Sequence, residues 1–294
     1  MKYPTLLIAS AVTATALSLP AYSTPITADI ISVVDESGSM GGEHAWLSGM
    51  ISGLDAGLNT AAGPDPISVQ YGLVGFGGAA AHGTPGHQHN VGGGQFGTAA
   101  QFGAATASLT LGGATEDGYS GIDAALNYNL RANAATHLIL VTDEDRDNIN
   151  AALNYNTILT AMQNENALLN AVLNINVRCG NGAVALGVND SGTGYVADGS
   201  GGFTTCAGAS VISGFGSTIN DYVNLALATG GAAWDLNQLR AGGNTATSFT
   251  AAFVDIKVEE ITRPAPEPES MALFGLALTL MGFKRKYSAS KKEL

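Results

Sequence analysis

Asp35, Ser37 and Ser39 alternate in the run Asp35-Glu36-Ser37-Gly38-Ser39-Met40. One carboxylate and two hydroxyls so spaced can turn toward a single point where a chain leaves a strand. Such oxygen donors suit a hard divalent cation, Mg²⁺ first, with Mn²⁺ or Ca²⁺ as alternatives. Two later stretches carry the same chemistry. Gly112-Gly113-Ala114-Thr115 adds a hydroxyl, and Thr142-Asp143 adds a carboxylate. The intervening Glu36 is expected to point to solvent.

Convergence of those stretches requires a scaffold. The apolar run Ile30-Ile31-Ser32-Val33-Val34 before Asp35 reads as a buried strand over 28–34. Gly41-Gly42 then opens a helix with Trp46, Met50, Ile51, Leu54 and Leu58 on one face. Further strands are expected at 67–76, 137–141, 175–178 and 232–236. Helices are expected at 116–130 and 157–173, one capped by Asp221 and ended by Gly230-Gly231, and one capped by Ser248. Residues 77–94 read as a loop, 95–111 stay open between strand, turn and helix, and 180–216 read as an elaborated loop or hairpin. Short, continuously apolar strands alternating with helices imply burial on both faces. The expected fold is therefore α/β, a doubly wound and mainly parallel sheet flanked by helices. Ligands of such sheets bind beyond the carboxyl ends of the strands, where Asp35 and Asp143 would lie.

The set resembles the von Willebrand factor type A (VWA) domain and its metal-ion-dependent adhesion site. Asp35, Ser37 and Ser39 match its first motif, Thr115 its threonine and Asp143 its second aspartate. Asp221 to Ala226 with Ala228 to Gly231 resemble its late helix and turn. The match spans residues 27–262. It implies that Ser37, Ser39 and Thr115 approach a metal through their hydroxyls, while Asp35 and Asp143 act largely through water. An open coordination position would then accept a carboxylate from a protein or polymer partner. The family usually places Gly after the second aspartate. Here Glu144-Asp145-Arg146-Asp147 follows, read as a solvated loop, with a second cation such as Ca²⁺ as the alternative.

The ends carry sorting signals. Lys2, the apolar stretch to Leu19 and the small residues Ala21-Tyr22-Ser23 read as a secretory signal peptide over 1–23. Pro264 to Glu269 reads as an extended linker. Met271 to Phe283 is nearly all apolar, short of the roughly 20 residues of a full span, and Lys284-Arg285-Lys286 follows at once. This tail, 264–294, resembles the PEP-CTERM sorting signal. The resemblance implies processing by an exosortase-type membrane protease, at least transient membrane contact, and delivery to the outer surface or extracellular matrix of a Gram-negative bacterium. The domain between, 24–263, holds six basic against 21 acidic residues, a net charge of −15. Nucleic acid is a poor partner for such a surface.

Two cysteines occur, Cys179 and Cys206. In an exported chain they are expected to pair, although two unrelated thiols are the alternative. His82, His87 and His89 read as part of a mobile polar loop, the alternative being a Zn²⁺ or Cu²⁺ site through the His-x-His pair. His44 and His137 are expected at a helix surface and a strand start. Neither a G-x-S-x-G elbow nor an H-E-x-x-H helix occurs, so a binding protein is expected rather than an enzyme. A metal-assisted hydrolase of matrix polymers and a purely structural matrix protein are the competing readings.

Overall fold

The computed structural model describes residues 25–263. The expected signal peptide (1–23) and sorting tail (264–294), with its apolar segment 271–283, lie outside them.

The strands are β1 (Ile26–Asp35), β2 (Ile67–Phe76), β3 (Gly86–Gln88), β4 (Phe96–Gly97), β5 (Ala135–Thr142), β6 (Leu168–Leu173), β7 (Ile175–Arg178), β8 (Val184–Ala185), β9 (Gly187–Asn189), β10 (Gly194–Ala197), β11 (Phe203–Cys206), β12 (Ser210–Gly214) and β13 (Ala232–Asp235). The helices are α1 (Gly41–Ala62), α2 (Ala79–His82), α3 (Ala99–Ala105), α4 (Gly118–Leu126), α5 (Tyr155–Asn164), α6 (Asn224–Ala228), α7 (Leu236–Arg240) and α8 (Gly243–Thr262).

The large sheet runs β11-β10-β9-β13-β6-β5-β1-β2-β3, with β4 also on β2. Its centre, β13-β6-β5-β1-β2, is parallel. Antiparallel strands extend both edges, β3 and β4 on β2 and β9 to β11 beyond β13. β12-β7-β8 form a separate small sheet. This is the doubly wound α/β architecture that the alternation of apolar strands and helices implies.

Each central strand feeds two cores. Ile31 and Val33 of β1 join one with Tyr119 and Ile122 of α4, Ile158 and Met162 of α5, and Leu225 of α6. Ile30 and Val34 join the other with Leu47, Met50 and Leu54 of α1, Phe102 of α3, and Phe249 and Phe253 of α8. Both faces of β1 are therefore dry, which explains its nearly unbroken apolar run.

Three sequence expectations need correction. The expected helix over 157–173 is α5 followed by strand β6. Asn166 takes a positive φ of 48° and ends the helical path, a conformation Asn tolerates better than most residues. Leu169, Ala171, Val172 and Leu173 are then buried in the sheet, and a short apolar run has no period that tells strand from helix. Residues 180–216, expected as an elaborated loop or hairpin, contain five short strands, with β9, β10 and β11 paired antiparallel, more than a single hairpin. Two expected caps sit elsewhere. Asp221 lies inside a π-helical turn (Ile219–Val223) and accepts from Ser217 Oγ, while Ser248 is buried within α8, which begins at Gly243.

Cys179, just after β7, is bonded to Cys206 at the end of β11. The bridge ties the small sheet to the antiparallel edge of the large one.

Candidate metal centre

β1 and β5 are adjacent and in register, Val34 opposite Val141. β2 follows β1 on one side, whereas β5 and then β6 continue on the other. The strand order therefore reverses at β1, which leaves a crevice beyond the carboxyl ends of β1 and β5. Asp35 ends β1 and Asp143 directly follows β5.

In that crevice Ser37 Oγ lies 3.1 Å from Ser39 Oγ, and Ser39 Oγ donates to Asp143 Oδ1 at 3.0 Å. Octahedral Mg²⁺ with bonds of about 2.0–2.1 Å spaces neighbouring ligands about 2.9 Å apart. The three oxygens thus stand close to the separation such an ion requires. Asp35 sits deeper. Its Oδ1 accepts from the Ser37 N–H at 2.7 Å and its Oδ2 from Thr142 Oγ1 at 2.8 Å. His44, expected as a mere surface residue, donates from Nε2 to the Asp35 carbonyl at 2.7 Å. Ser37 is buried and Ser39 is exposed, so the site opens to solvent on the Ser39 side.

Thr115 is exposed, as Ser39 is, and its backbone carbonyl borders Gly77 beside Asp35 Oδ1. The loop carrying Thr115 is pinned to the first motif. Gly113 N–H donates to the Glu36 carbonyl at 2.9 Å and Ala114 N–H to the Gly77 carbonyl at 3.3 Å. A side chain at Gly113 would overlap the Gly77 carbonyl, so glycine is what permits this approach.

The electrostatics favour a cation. Burial raises the Asp35 carboxyl to about 6, with nearby Asp143 adding to the rise, against the lowering effect of the Ser37 and Thr142 hydrogen bonds. Burial, then Asp35, Glu144 and Asp147, raise Glu116 to about 7. Burial and Asp143 raise Glu144 as well. Among the described residues, Arg240 brings a cation to Asp143 and Glu43. Arg240 Nη2 donates to Asp143 Oδ2 at 2.9 Å and to the Ser39 carbonyl at 3.2 Å, while Nε donates to Glu43 Oε1 at 2.7 Å. Glu43, then Asp143, hold Arg240 firmly protonated. No local pattern in the sequence pointed to Arg240, 97 residues beyond Asp143.

Two of the acids after Asp143, Asp145 and Asp147, anchor neighbouring segments rather than standing free in solvent. Asp145 accepts from the Ser217 N–H, and Asp147 from the Glu116 N–H at 3.1 Å. Arg146 pairs with Asp117 at 2.6 Å and lies 4.3 Å over the Tyr119 ring. Asp117 also caps α4.

Glu36 reverses its expectation most sharply. Its side chain is fully buried and faces away from the serines, among His82, His87 and His89. Burial tends to raise its carboxyl, but the close approach of His87 and His89 and the Thr110 N–H bring it to about 2. The histidines form a tight cluster rather than a mobile loop.

Comparison with known proteins adds the chain's destination. Residues 264–286 match the PEP-CTERM protein-sorting motif. The motif implies an exported chain handled by exosortase-type machinery. No curated protein matches the sequence. Among solved structures, a von Willebrand factor type A protein from Catenulispora acidiphila is similar at 16% identity and a TM-score of 0.36, over 51% of this chain and 33% of its own. Proximal thread matrix protein 1 from the mussel byssus is similar at 17% identity and a TM-score of 0.34, over 50% of this chain and 35% of its own. The pilus adhesin SpaC from Lactobacillus rhamnosus GG shares 26% identity at a TM-score of 0.31, over 41% of this chain and 15% of its own. The matches thus span about a third or less of those proteins. Among the described residues, no helix is long and apolar enough to cross a membrane.

Proposed function

We propose that this chain is an exported binding protein that grips an acidic partner through one divalent cation, and that it binds rather than turns over its ligand. The observation that carries this reading is the mutual spacing of Ser37 Oγ, Ser39 Oγ and Asp143 Oδ1, at 3.0 and 3.1 Å. Ser37, Ser39 and Asp143 would hold the ion, Mg²⁺ before Mn²⁺ or Ca²⁺, with Asp35 behind them. Thr115, on the adjoining loop, would add its hydroxyl. A metal held mainly by neutral hydroxyls stays electrophilic enough to take a carboxylate from outside.

The surroundings suit such a ligand. Ser39 borders a cleft shared with Gly42, Glu43, Trp46, Leu239 and Arg240. Leu111, half exposed, lies against Gly38 and Gly41 on the rim. A protein or polymer bearing carboxylates at the cell surface or in the extracellular matrix fits this combination. The proposed organisation is a cleaved leader (1–23), the binding domain (24–263) and the sorting tail (264–294), which contacts the membrane at least transiently.

The test is retention of the purified full-length protein on extracellular matrix from producing cells. Retention should require Mg²⁺, vanish in EDTA, return when Mg²⁺ is restored, and fail for Asp143→Ala. Retention that persists in EDTA and in that variant would defeat the reading.

A further inference from the structure

We propose that Glu36, His82, His87 and His89 form a second, nitrogen-rich metal centre that takes Zn²⁺ as a tetrahedral structural ion. The four side chains come from three segments: the turn after β1, the end of α2, and β3 with the residue following it. One ligand atom from each lies within 4.8 Å of all the others. Glu36 Oε1 lies 3.4 Å from His82 Nε2 and 3.3 Å from His89 Nε2, and Glu36 Oε2 lies 2.8 Å from His87 Nε2. Tetrahedral zinc with bonds of about 2.0–2.1 Å spaces its ligands about 3.3 Å apart.

A second observation is independent of those distances. Glu36 Oε2, both ring nitrogens of His87, and His89 Nε2 are buried without a hydrogen-bond partner. His87 and Glu36 are close enough to bond, yet the ring N–H directions do not lie along the line between them. Each buried polar atom left unpaired costs about 1–3 kcal/mol. Four in one place are hard to reconcile with a site that binds nothing. A metal ion uses the same lone pairs and removes the deficit.

The remaining donor capacity is arranged for ligation. Ser108 Oγ bonds His89 Nδ1 at 2.7 Å, which leaves Nε2 for the metal. The Thr110 N–H donates to Glu36 Oε1 at 3.0 Å and fixes the carboxylate among the three rings. Gly75 and Gly78 clear the space. A methyl group at Gly75 would come within 2.5 Å of Glu36 Oε2 and 2.7 Å of His87 Nε2, and one at Gly78 would overlap Glu36 Oε2.

Three imidazoles and one carboxylate form a borderline-soft set that suits zinc and excludes Mg²⁺. The ion would clamp the turn carrying Ser37 and Ser39 to the β3 edge. This centre is distinct from the oxygen site and does not depend on it.

The test is Co²⁺ and Zn²⁺ titration of metal-free full-length protein in excess Mg²⁺. One Co²⁺ per chain should bind with the intense visible bands of tetrahedral N/O coordination, and one Zn²⁺ should displace it. His82→Ala removes the most exposed ligand with least effect on the core, and should weaken zinc binding by at least about 100-fold. Ser39→Ala should leave zinc binding unchanged. Weak octahedral Co²⁺ bands, no saturable Zn²⁺ binding, or undiminished affinity in His82→Ala would each overturn the proposal. The wild-type spectrum decides the matter even if a variant fails to fold.

Discussion

Arg240 holds Asp143 through a 2.9 Å bond from Nη2 to Oδ2, on the side opposite the 3.0 Å bond from Ser39. The guanidinium thus neutralises part of an acidic site that would otherwise repel itself, and it competes with any divalent ion for Asp143. Two unit charges 4 Å apart in water interact by about 1 kcal/mol, and a divalent ion doubles this. Arg240→Gln should therefore tighten Mg²⁺ binding by about 30-fold in a calorimetric titration. Weaker binding would show instead that Arg240 positions Asp143 for the metal.

The glycines of the histidine cluster give a sharper test of its purpose. Gly78 lies outside the left-handed region, so alanine there strains no backbone, and a methyl group meets Glu36. Gly78→Ala should displace Glu36 and lower zinc affinity at least about tenfold, while Mg²⁺ binding is unchanged. Equal zinc affinity in the variant would show that Glu36 is not a ligand.

Much of this architecture was legible in the chain. β2 falls at 67–76 as the alternation of Val69, Tyr71 and Leu73 implies, and Asp35 and Asp143 end neighbouring strands as their position after apolar runs suggests. What stayed hidden depends on three-dimensional crossing. Glu36 sits between Asp35 and Ser37, which belong to the crevice, and nothing local shows that its side chain turns to the other side of the turn. His82, His87 and His89 spread over eight residues of Gly-rich chain, and only the hairpin of β3 on β2 gathers them. Thr115 fits the motif by order, while the bond from the Gly113 N–H to the Glu36 carbonyl that holds its loop there leaves no local sign. β6 was masked because burial on both faces erases the period that marks a strand.

The disulfide should matter to the β9–β11 edge. Cys179 and Cys206 close a loop of 28 residues, which on the chain-entropy account contributes about 3.5 kcal/mol. Cys179→Ser with Cys206→Ser should lower the unfolding free energy by about 2–4 kcal/mol in urea denaturation. A loss below about 1 kcal/mol would contradict that account.

A buried network under the sheet predicts a pH response. His137 Nδ1 accepts from Lys257 Nζ at 3.1 Å, and Lys257 also reaches Glu260 at 3.1 Å. Burial, then the Lys257 charge, lower His137 well below its ordinary 6.5. The unfolded ring therefore binds a proton that the folded ring refuses, and stability falls as pH drops through 6.5. Between about pH 7 and pH 5.5, the wild type should lose more stability than His137→Gln in paired urea titrations. Equal losses would show that the buried ring accepts the proton without cost.

Calorimetric titration of Mg²⁺ into zinc-loaded, full-length protein addresses the oxygen site alone, since the histidine cluster is then filled. Saturable binding of one Mg²⁺ per chain, abolished by Ser39→Ala with the fold intact, is the expected result. No saturable binding, or binding that Ser39→Ala leaves untouched, would contradict the claim that Ser37, Ser39 and Asp143 hold a cation.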